Sequence, residues 1–324
     1  MFEDRLPALM PALPRRDFLK GIGITGTLTA LGAWSLPGAY AAPTRGSRAE
    51  TLAQELFEKL TSEQRQVICL PFEHASRTKV NPNWAITQPA IHEEFYTPVQ
   101  RDLAGKIFQA ATSESGHGRF LEQMEFDDGG FDRYHMAFFG TPEAGPFEWV
   151  VTGRHLTFRA DGNSTAGMAF GGPVVYGHGE ENAADNLFHS QTQQANEVFQ
   201  ALNADQRRIA LLTTPPTETA VQLQGAQSRF PGISGQALTS DQQALLAQVL
   251  QHLLSPYREE DIAEVMECVN AGGGIAGLSM AFYQKGDLNN DQEWDIWRIE
   301  GPTFVCHFRG APHVHAYLHV GQKA

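Results

Sequence analysis

The strongest constraint on the fold lies near the C-terminus, where residues 303–320 read T-F-V-C-H-F-R-G-A-P-H-V-H-A-Y-L-H-V. Side chains of a β-strand alternate between its two faces with a period of two. The second half of this stretch alternates in that way, since every other residue is apolar. The opposite face carries His313, His315, Tyr317 and His319. The pattern predicts a half-buried strand with a row of imidazoles on one face.

A short turn at residues 309–312 separates this strand from a preceding run, residues 304–308. In that run His307 shares a face with Val305, so pairing of the two runs as a hairpin would add His307 to the histidine face. Metal binding is the usual chemical reason to gather imidazoles. A solvated strand face that carries histidine without binding anything is the alternative.

Alternating patterns occur in two regions that are separated by short, turn-rich links, which are typical of antiparallel meanders. Helical patterns at residues 48–59, 240–254 and 259–269 accompany them. We therefore predict the α+β class, with antiparallel sheets flanked by helices. The predicted strands are residues 133–140, 147–160 and 165–171 in the first region, and 277–284, 293–300, 303–308 and 313–320 in the second.

The two regions resemble each other around Trp149 and Trp297, which are 148 residues apart, and each follows an M-A-F-F or M-A-F-Y run. This likeness predicts a pseudo-duplicated chain in which a helix-plus-antiparallel-meander unit occurs twice. The halves would be residues 42–172 and 173–324, within one compact globular unit. Chance similarity between amphipathic strands is the alternative.

Three similar hexapeptides, at residues 60–65, 202–207 and 238–243, fit the start of a helix. Each has Thr or Asn at the cap, an acid in the first turn, and a glutamine that can reach back to the cap. We interpret this signature as structural.

If the duplicated halves lie side by side, a histidine from the first meander can reach the histidine face of the second. His155 falls on the strand face of Thr157 and Arg159, opposite Leu156 and Phe158. The predicted metal ligands are therefore His155, His313 and His315, with His307 or His319 as a fourth ligand or a supporting group. An open site of three imidazoles suits zinc or copper, and the sequence does not choose between them.

The N-terminus reads as an export signal. Residues 14–20 are P-R-R-D-F-L-K, an uncharged run follows at 21–36, and Ala39 and Ala41 fit a signal-peptidase site. These features resemble a twin-arginine (Tat) signal over residues 1–41, which implies the Tat translocase as a partner and a periplasmic or extracellular location. A membrane anchor is the alternative, but the run of 16 residues contains four Gly and four Thr or Ser, too short and polar to span comfortably.

Composition narrows the possible partners. The formal net charge is −13, so we expect no binding to nucleic acid or to anionic membranes. Three cysteines do not make a disulfide scaffold, and we expect Cys69, Cys268 and Cys306 to be small buried residues. Motifs of serine hydrolases, zinc proteases, thioredoxins and nucleotide-binding loops are absent from the sequence.

Four segments in order carry a family resemblance: F-G-T-P-E-A-G-P-F-E-W (139–149), G-R-H-L (153–156), W-R-I-E-G-P-T-F (297–304) and H-V-H (313–315). Together they resemble the domain of unknown function family 3500, which brings no established activity. The resemblance implies that the three predicted ligands fall on the family's histidine positions. The chain departs from the family pattern at four positions: Arg154 replaces a histidine, Pro312 an asparagine, His307 a glutamate and His319 an arginine.

Two functions fit these patterns. The first is a copper- or zinc-dependent enzyme that activates water or oxygen toward an unidentified small molecule. The second is a non-catalytic periplasmic protein that binds a metal or ligand through the same histidines. A structural sheet without any metal is a third interpretation. We also expect His178, in the loop at residues 176–181, to be a solvated histidine or a mobile extra ligand.

Overall fold

The structure is a computed structural model that describes residues 41–289 and 291–322. The predicted export signal lies outside these residues, apart from Ala41. In the part of the chain that the structure describes, no helix has the length and apolar character needed to cross a membrane.

The helices begin and end close to where their patterns predict. The predicted helix at residues 48–59 is observed with its last residue one position earlier. Among the described residues there are eight α-helices. They are α1 (Arg48–Glu58), α2 (Ser62–Ile68), α3 (Pro98–Ala110), α4 (Glu114–Asp128), α5 (His189–Ala201), α6 (Ala204–Ala210), α7 (Ser240–Leu254) and α8 (Glu259–Ala271).

Eleven strands in the described ranges form one sheet, in the order β1-β2-β3-β4-β5-β11-β10-β9-β8-β6, with β7 paired to β8. Pairing is antiparallel except for β1 with β2 and β6 with β8. The predicted α+β class, with a sheet flanked by helices, is confirmed. The strands are β1 (Cys69–Leu70), β2 (His135–Gly140), β3 (Phe147–Gly153), β4 (Leu156–Ala160), β5 (Val174–His178), β6 (Leu211–Leu212), β7 (Ile233–Ser234), β8 (Ser279–Tyr283), β9 (Ile296–Gly301), β10 (Phe304–Arg309) and β11 (Val314–Val320).

Two predicted strands are wrong. Residues 147–160, predicted as one strand, form the hairpin of β3 and β4, with a turn at residues 154–155. Residues 165–171 form turns and a short 3-10 helix at Ala169–Gly171, and the strand that pairs with β4 is β5. Two residues near the end of the segment, Phe170 and Gly171, have positive φ of 61° and 74°, which an extended strand does not contain. β5 also pairs with β11, so the two meanders join into one sheet at its centre. The duplication itself stays a prediction.

The helix-start signature is confirmed at all three of its positions, and a fourth capping box begins α3. Its sequence, T-P-V-Q, has no acid in the first turn and therefore falls outside the signature. The glutamine of each box also donates to another box, which ties the helix starts together in pairs. The boxes are Thr61 with Gln64, Thr97 with Gln100, Asn203 with Gln206, and Thr239 with Gln242.

The two faces of the sheet have different partners. One face packs into the main apolar core with the helices, and Phe158, Phe308 and Leu318 belong to it. The other face is crossed by two long segments, one from β1 to α3 and the other from β6 to β7. In residues 71–97, Trp84 donates to Thr157 on β4 at 3.1 Å; in residues 213–232, the carbonyl of Ala220 accepts from Arg298 on β9 at 2.8 Å. The histidine face of β11 lies on this second side.

A buried group of charges joins the first helix to the last. Arg258 donates to both carboxylate oxygens of Glu50 on α1, at 2.9 and 2.6 Å, and to Asp261 on α8 at 3.0 Å. Two further acids lie near this group. Burial raises the pKa of Asp161 to about 8 and that of Glu264 to about 9, and neighbouring carboxylates add to both shifts.

Candidate metal centre

His155 comes from the two-residue turn between β3 and β4, since Gly153 pairs with Leu156. It has a left-handed backbone with φ of 56°, which is uncommon for a residue with a side chain. The carbonyl of Pro82, in the segment that crosses the sheet, accepts its backbone N–H at 2.6 Å. The turn directs the imidazole away from the core that receives Leu156.

His313 and His315 lie at the start of β11, two strands from β4. The residue paired with His315 on the intervening β5 is Gly177, and a Cβ at that position would lie 2.1 Å from the carbonyl oxygen of Val314. The missing side chain therefore lets the start of β11 lie close against β5, beside the turn that holds His155. Ring centroids lie 5.0 Å apart for His155 and His313, 4.9 Å for His155 and His315, and 4.8 Å for His313 and His315.

Asp127, the next-to-last residue of α4, holds His155. Its Oδ2 lies 2.8 Å from His155 Nδ1, and it also accepts from Gln123 at 2.7 Å and from the backbone of Gly179 at 2.9 Å. Burial opposes ionisation of Asp127, but these hydrogen bonds outweigh it, so that the pKa is lowered. A carboxylate only accepts, so His155 donates through Nδ1 and keeps a lone pair on Nε2.

Glu218, from the segment at residues 213–232, supports His315 as Asp127 supports His155. Its Oε2 lies 2.9 Å from His315 Nδ1 and accepts from the Tyr317 hydroxyl at 2.9 Å, while Oε1 accepts from Arg309 at 2.8 Å. Burial alone would raise the pKa of Glu218, but these contacts lower it to about 2. His315 therefore also donates through Nδ1, and its Nε2 lone pair lies 3.1 Å both from His313 Nε2 and from the donor Arg309 Nη2.

The third imidazole completes a site that could hold a metal ion. His313 Nε2 lies 3.1 Å from His315 Nε2, and one nitrogen from each of the three histidines lies within 4.8 Å of the others. Burial, together with the charges of the neighbouring rings and Arg309, lowers the pKa of His313 to about 4. The pKa of His315 is also lowered, chiefly by burial. Neutral imidazoles held by carboxylates are typical of zinc and copper sites.

Comparison with known proteins supports the family resemblance of the four sequence segments. A family model described as Protein of unknown function (DUF3500) matches residues 44–320. The chain belongs to this family. Neither the search of curated proteins nor the search of solved structures gave a match.

The other two histidines predicted for the site of this DUF3500 protein lie outside the group of three. His307 is fully buried on β10, opposite Tyr317, and neither of its ring nitrogens has a hydrogen-bond partner among the described residues. Burial lowers the pKa of His307 to about 4. His319 lies farther along β11, and its Nδ1 donates to the carbonyl of Val221 at 3.0 Å.

The prediction of a solvated or mobile His178 is wrong. This histidine ends β5 and is 4% exposed, because the V-V-Y-G-H run continues the sheet rather than forming a loop. Its Nδ1 accepts from the backbone of Leu187 at 3.2 Å, so the ring proton is on Nε2. A neutral His178 in this arrangement has no free lone pair to offer to an ion.

The supporting residues of the DUF3500 site could not be found from sequence patterns. Asp127 is 28 residues before His155, and Glu218 is 97 residues before His315. Gly179 is also required, since a Cβ there would lie 2.3 Å from Asp127 Oδ1. These three residues come together only in the folded protein. None of them lies at a sequence spacing that is typical of metal ligands.

Proposed function

We propose that this DUF3500 protein is an exported metalloenzyme in which His155, His313 and His315 hold a zinc or copper ion. The observation that carries the proposal is the convergence of three imidazoles, two of which are fixed by the carboxylates of Asp127 and Glu218 so that Nε2 faces inward. Such carboxylate–histidine pairs orient ligands and raise their basicity in known metal sites.

An enzyme fits this arrangement better than a carrier. Three protein ligands are typical of catalytic sites, whereas structural sites are usually closed by four. His313 is only half-buried, so the group is accessible from one side. The ion would supply Lewis acidity and lower the pKa of a bound water. Asp127 and Glu218 would hold the imidazoles of His155 and His315 in place.

Metal analysis tests the proposal. We would purify the folded chain after expression with its signal intact and measure zinc and copper by mass spectrometry. His313→Ala/His315→Ala removes two of the three ligands, and His189→Ala/His252→Ala removes two histidines outside the group. We expect about one ion per chain in the wild type and the control, and less than about a tenth of that in the first variant. Equal metal content in all three proteins would contradict the proposal.

Export by the Tat translocase is a separate part of the proposal, and it is supported by the R-R-D-F-L-K segment at residues 15–20. Fractionation of cells that produce the full chain tests it. We expect the wild type in the periplasm, and Arg15→Lys/Arg16→Lys in the cytoplasm with its signal uncleaved. Periplasmic protein in both strains would contradict the Tat route.

A further inference from the structure

We infer that the substrate of this site is a small anion with two oxyanion groups, such as a dicarboxylate, one facing the ion and the other bound by Arg154. The inference rests on the proposed function, because it requires an ion at the three histidines.

The charges around the histidines balance before any ion is added. Asp127 and Glu218 are carboxylates that accept hydrogen bonds from His155, His315 and further donors at 2.7 to 2.9 Å, so each contributes one negative charge. Arg154 and Arg309 pair with them, at 3.9 and 2.8 Å respectively. A divalent ion would leave the site with an excess of about two positive charges, which in a partly buried place favours an anionic ligand.

Arg309 and Arg154 differ in how many of their N–H groups are hydrogen-bonded and in how exposed their side chains are. Arg309 donates to Glu218 through Nη1 and to His315 Nε2 through Nη2, at 2.8 and 3.1 Å, and its side chain is 19% exposed. Arg154 contacts Asp127 only through Nε, and its side chain is 46% exposed. Within the described residues, its two terminal nitrogens make no hydrogen bond.

Asp127 does not depend on Arg154. Its oxygens already accept from His155, Gln123 and the backbone of Gly179, at 2.7 to 2.9 Å. Arg154 is therefore a half-exposed guanidinium with free donors, and a guanidinium binds a carboxylate through two parallel hydrogen bonds.

The position of Arg154 places those donors beside the ligand group. It precedes His155 in the turn, and both Arg154 Nη2 and His155 Cε1 lie within 3.4 Å of the point where a Cβ on Gly179 would stand. Cε1 adjoins Nε2, the nitrogen that faces the ion. An anion that bridges the ion and Arg154 therefore needs a span of only a few bonds, as in malonate.

Anion binding to the cobalt(II)-loaded protein tests this inference, with the visible spectrum of cobalt as the readout. Azide reaches the metal alone, whereas malonate can contact both the metal and Arg154. In Arg154→Ala we expect the Kd of malonate to rise about tenfold or more and that of azide to change less than about threefold. Arg154→Lys should lie between, and Arg133→Ala, an exposed arginine of the turn before β2, should match the wild type.

The outcomes separate this inference from the proposed function. Full cobalt loading with an unchanged Kd of malonate in Arg154→Ala would overturn the inference alone. An equal loss of azide and malonate binding would also overturn it, because Arg154 would then support the metal site rather than the anion. A wild type that takes up no cobalt would overturn the proposed function and this inference with it.

Discussion

At the scale of single residues, two carboxylates decide how the histidines present their nitrogens. Asp127 and Glu218 each occupy the Nδ1 side of one imidazole, which leaves Nε2 for an ion. Strand alternation predicts the imidazoles of β11 because it depends on neighbouring residues. It cannot predict the carboxylates, since a helix end and an extended segment bring them to the site from distant parts of the chain.

Removing the charge of either carboxylate should weaken metal binding without removing a ligand. We expect Asp127→Asn and Glu218→Gln each to lower zinc affinity about 10- to 100-fold, as for other residues that support metal-bound histidines. Competition with a chromophoric chelator would measure the Kd. Glu122→Gln, on the exposed face of α4, is the control, and equal affinities in Asp127→Asn and this control would contradict the role of Asp127.

At the scale of elements, the turn between β3 and β4 holds a ligand in a backbone conformation that favours glycine. The sequence predicts one continuous strand with His155 on its face, whereas His155 lies in a tight turn between two strands, with a left-handed φ of 56° and a hydrogen bond to Pro82. The segment at residues 165–171 is a case in which a predicted strand does not form. Its composition permits a strand, yet positive φ values at its end stop the alternation before β5 begins.

Substitutions at His155 should distinguish its effect on the stability of the turn from its role as a metal ligand. His155→Gly and His155→Ala both remove a ligand, so both should lose metal. Because glycine adopts positive φ without strain, we expect the metal-free His155→Gly protein to be about 1 kcal/mol more stable than His155→Ala. Urea unfolding would measure the difference, and equal midpoints would mean that the turn is not strained.

At the scale of the whole molecule, one sheet and one buried ion cluster unite the two ends of the described chain. The likeness between the two meanders favours neighbouring sheets, and the structure joins them through β5 and β11. The contact between α1 and α8 has no signal in the sequence, because Glu50 and Arg258 are 208 residues apart.

Breaking this cluster should destabilise the protein strongly. Arg258→Ala leaves Glu50 and Asp261 as buried acids without their cation, so we expect a loss of about 3–5 kcal/mol in the free energy of unfolding. Arg208→Ala removes an exposed ion pair with Asp205 and should change it by less than about 1 kcal/mol. Similar losses in the two variants would contradict the buried role of Arg258.

The same region should make stability fall with rising pH. Asp161 and Glu264 have folded pKa values of about 8 and 9, far above those of unfolded acids. Between pH 7 and 8.5 the folded state therefore retains protons that the unfolded state has lost, and stability decreases by up to about 1.4 kcal/mol per pH unit for each such proton. Unfolding of the metal-free protein across this range would show the slope, and Glu264→Gln should reduce it. A flat profile would contradict the raised pKa values.

The most direct test of the metal centre is a crystal structure of the metal-loaded protein with anomalous diffraction data collected at the absorption edge of the bound metal. We predict one anomalous peak about 2.0–2.1 Å from the Nε2 atoms of His155, His313 and His315. A peak bound by other residues, or a crystal of the loaded protein without a peak at these three nitrogens, would contradict it.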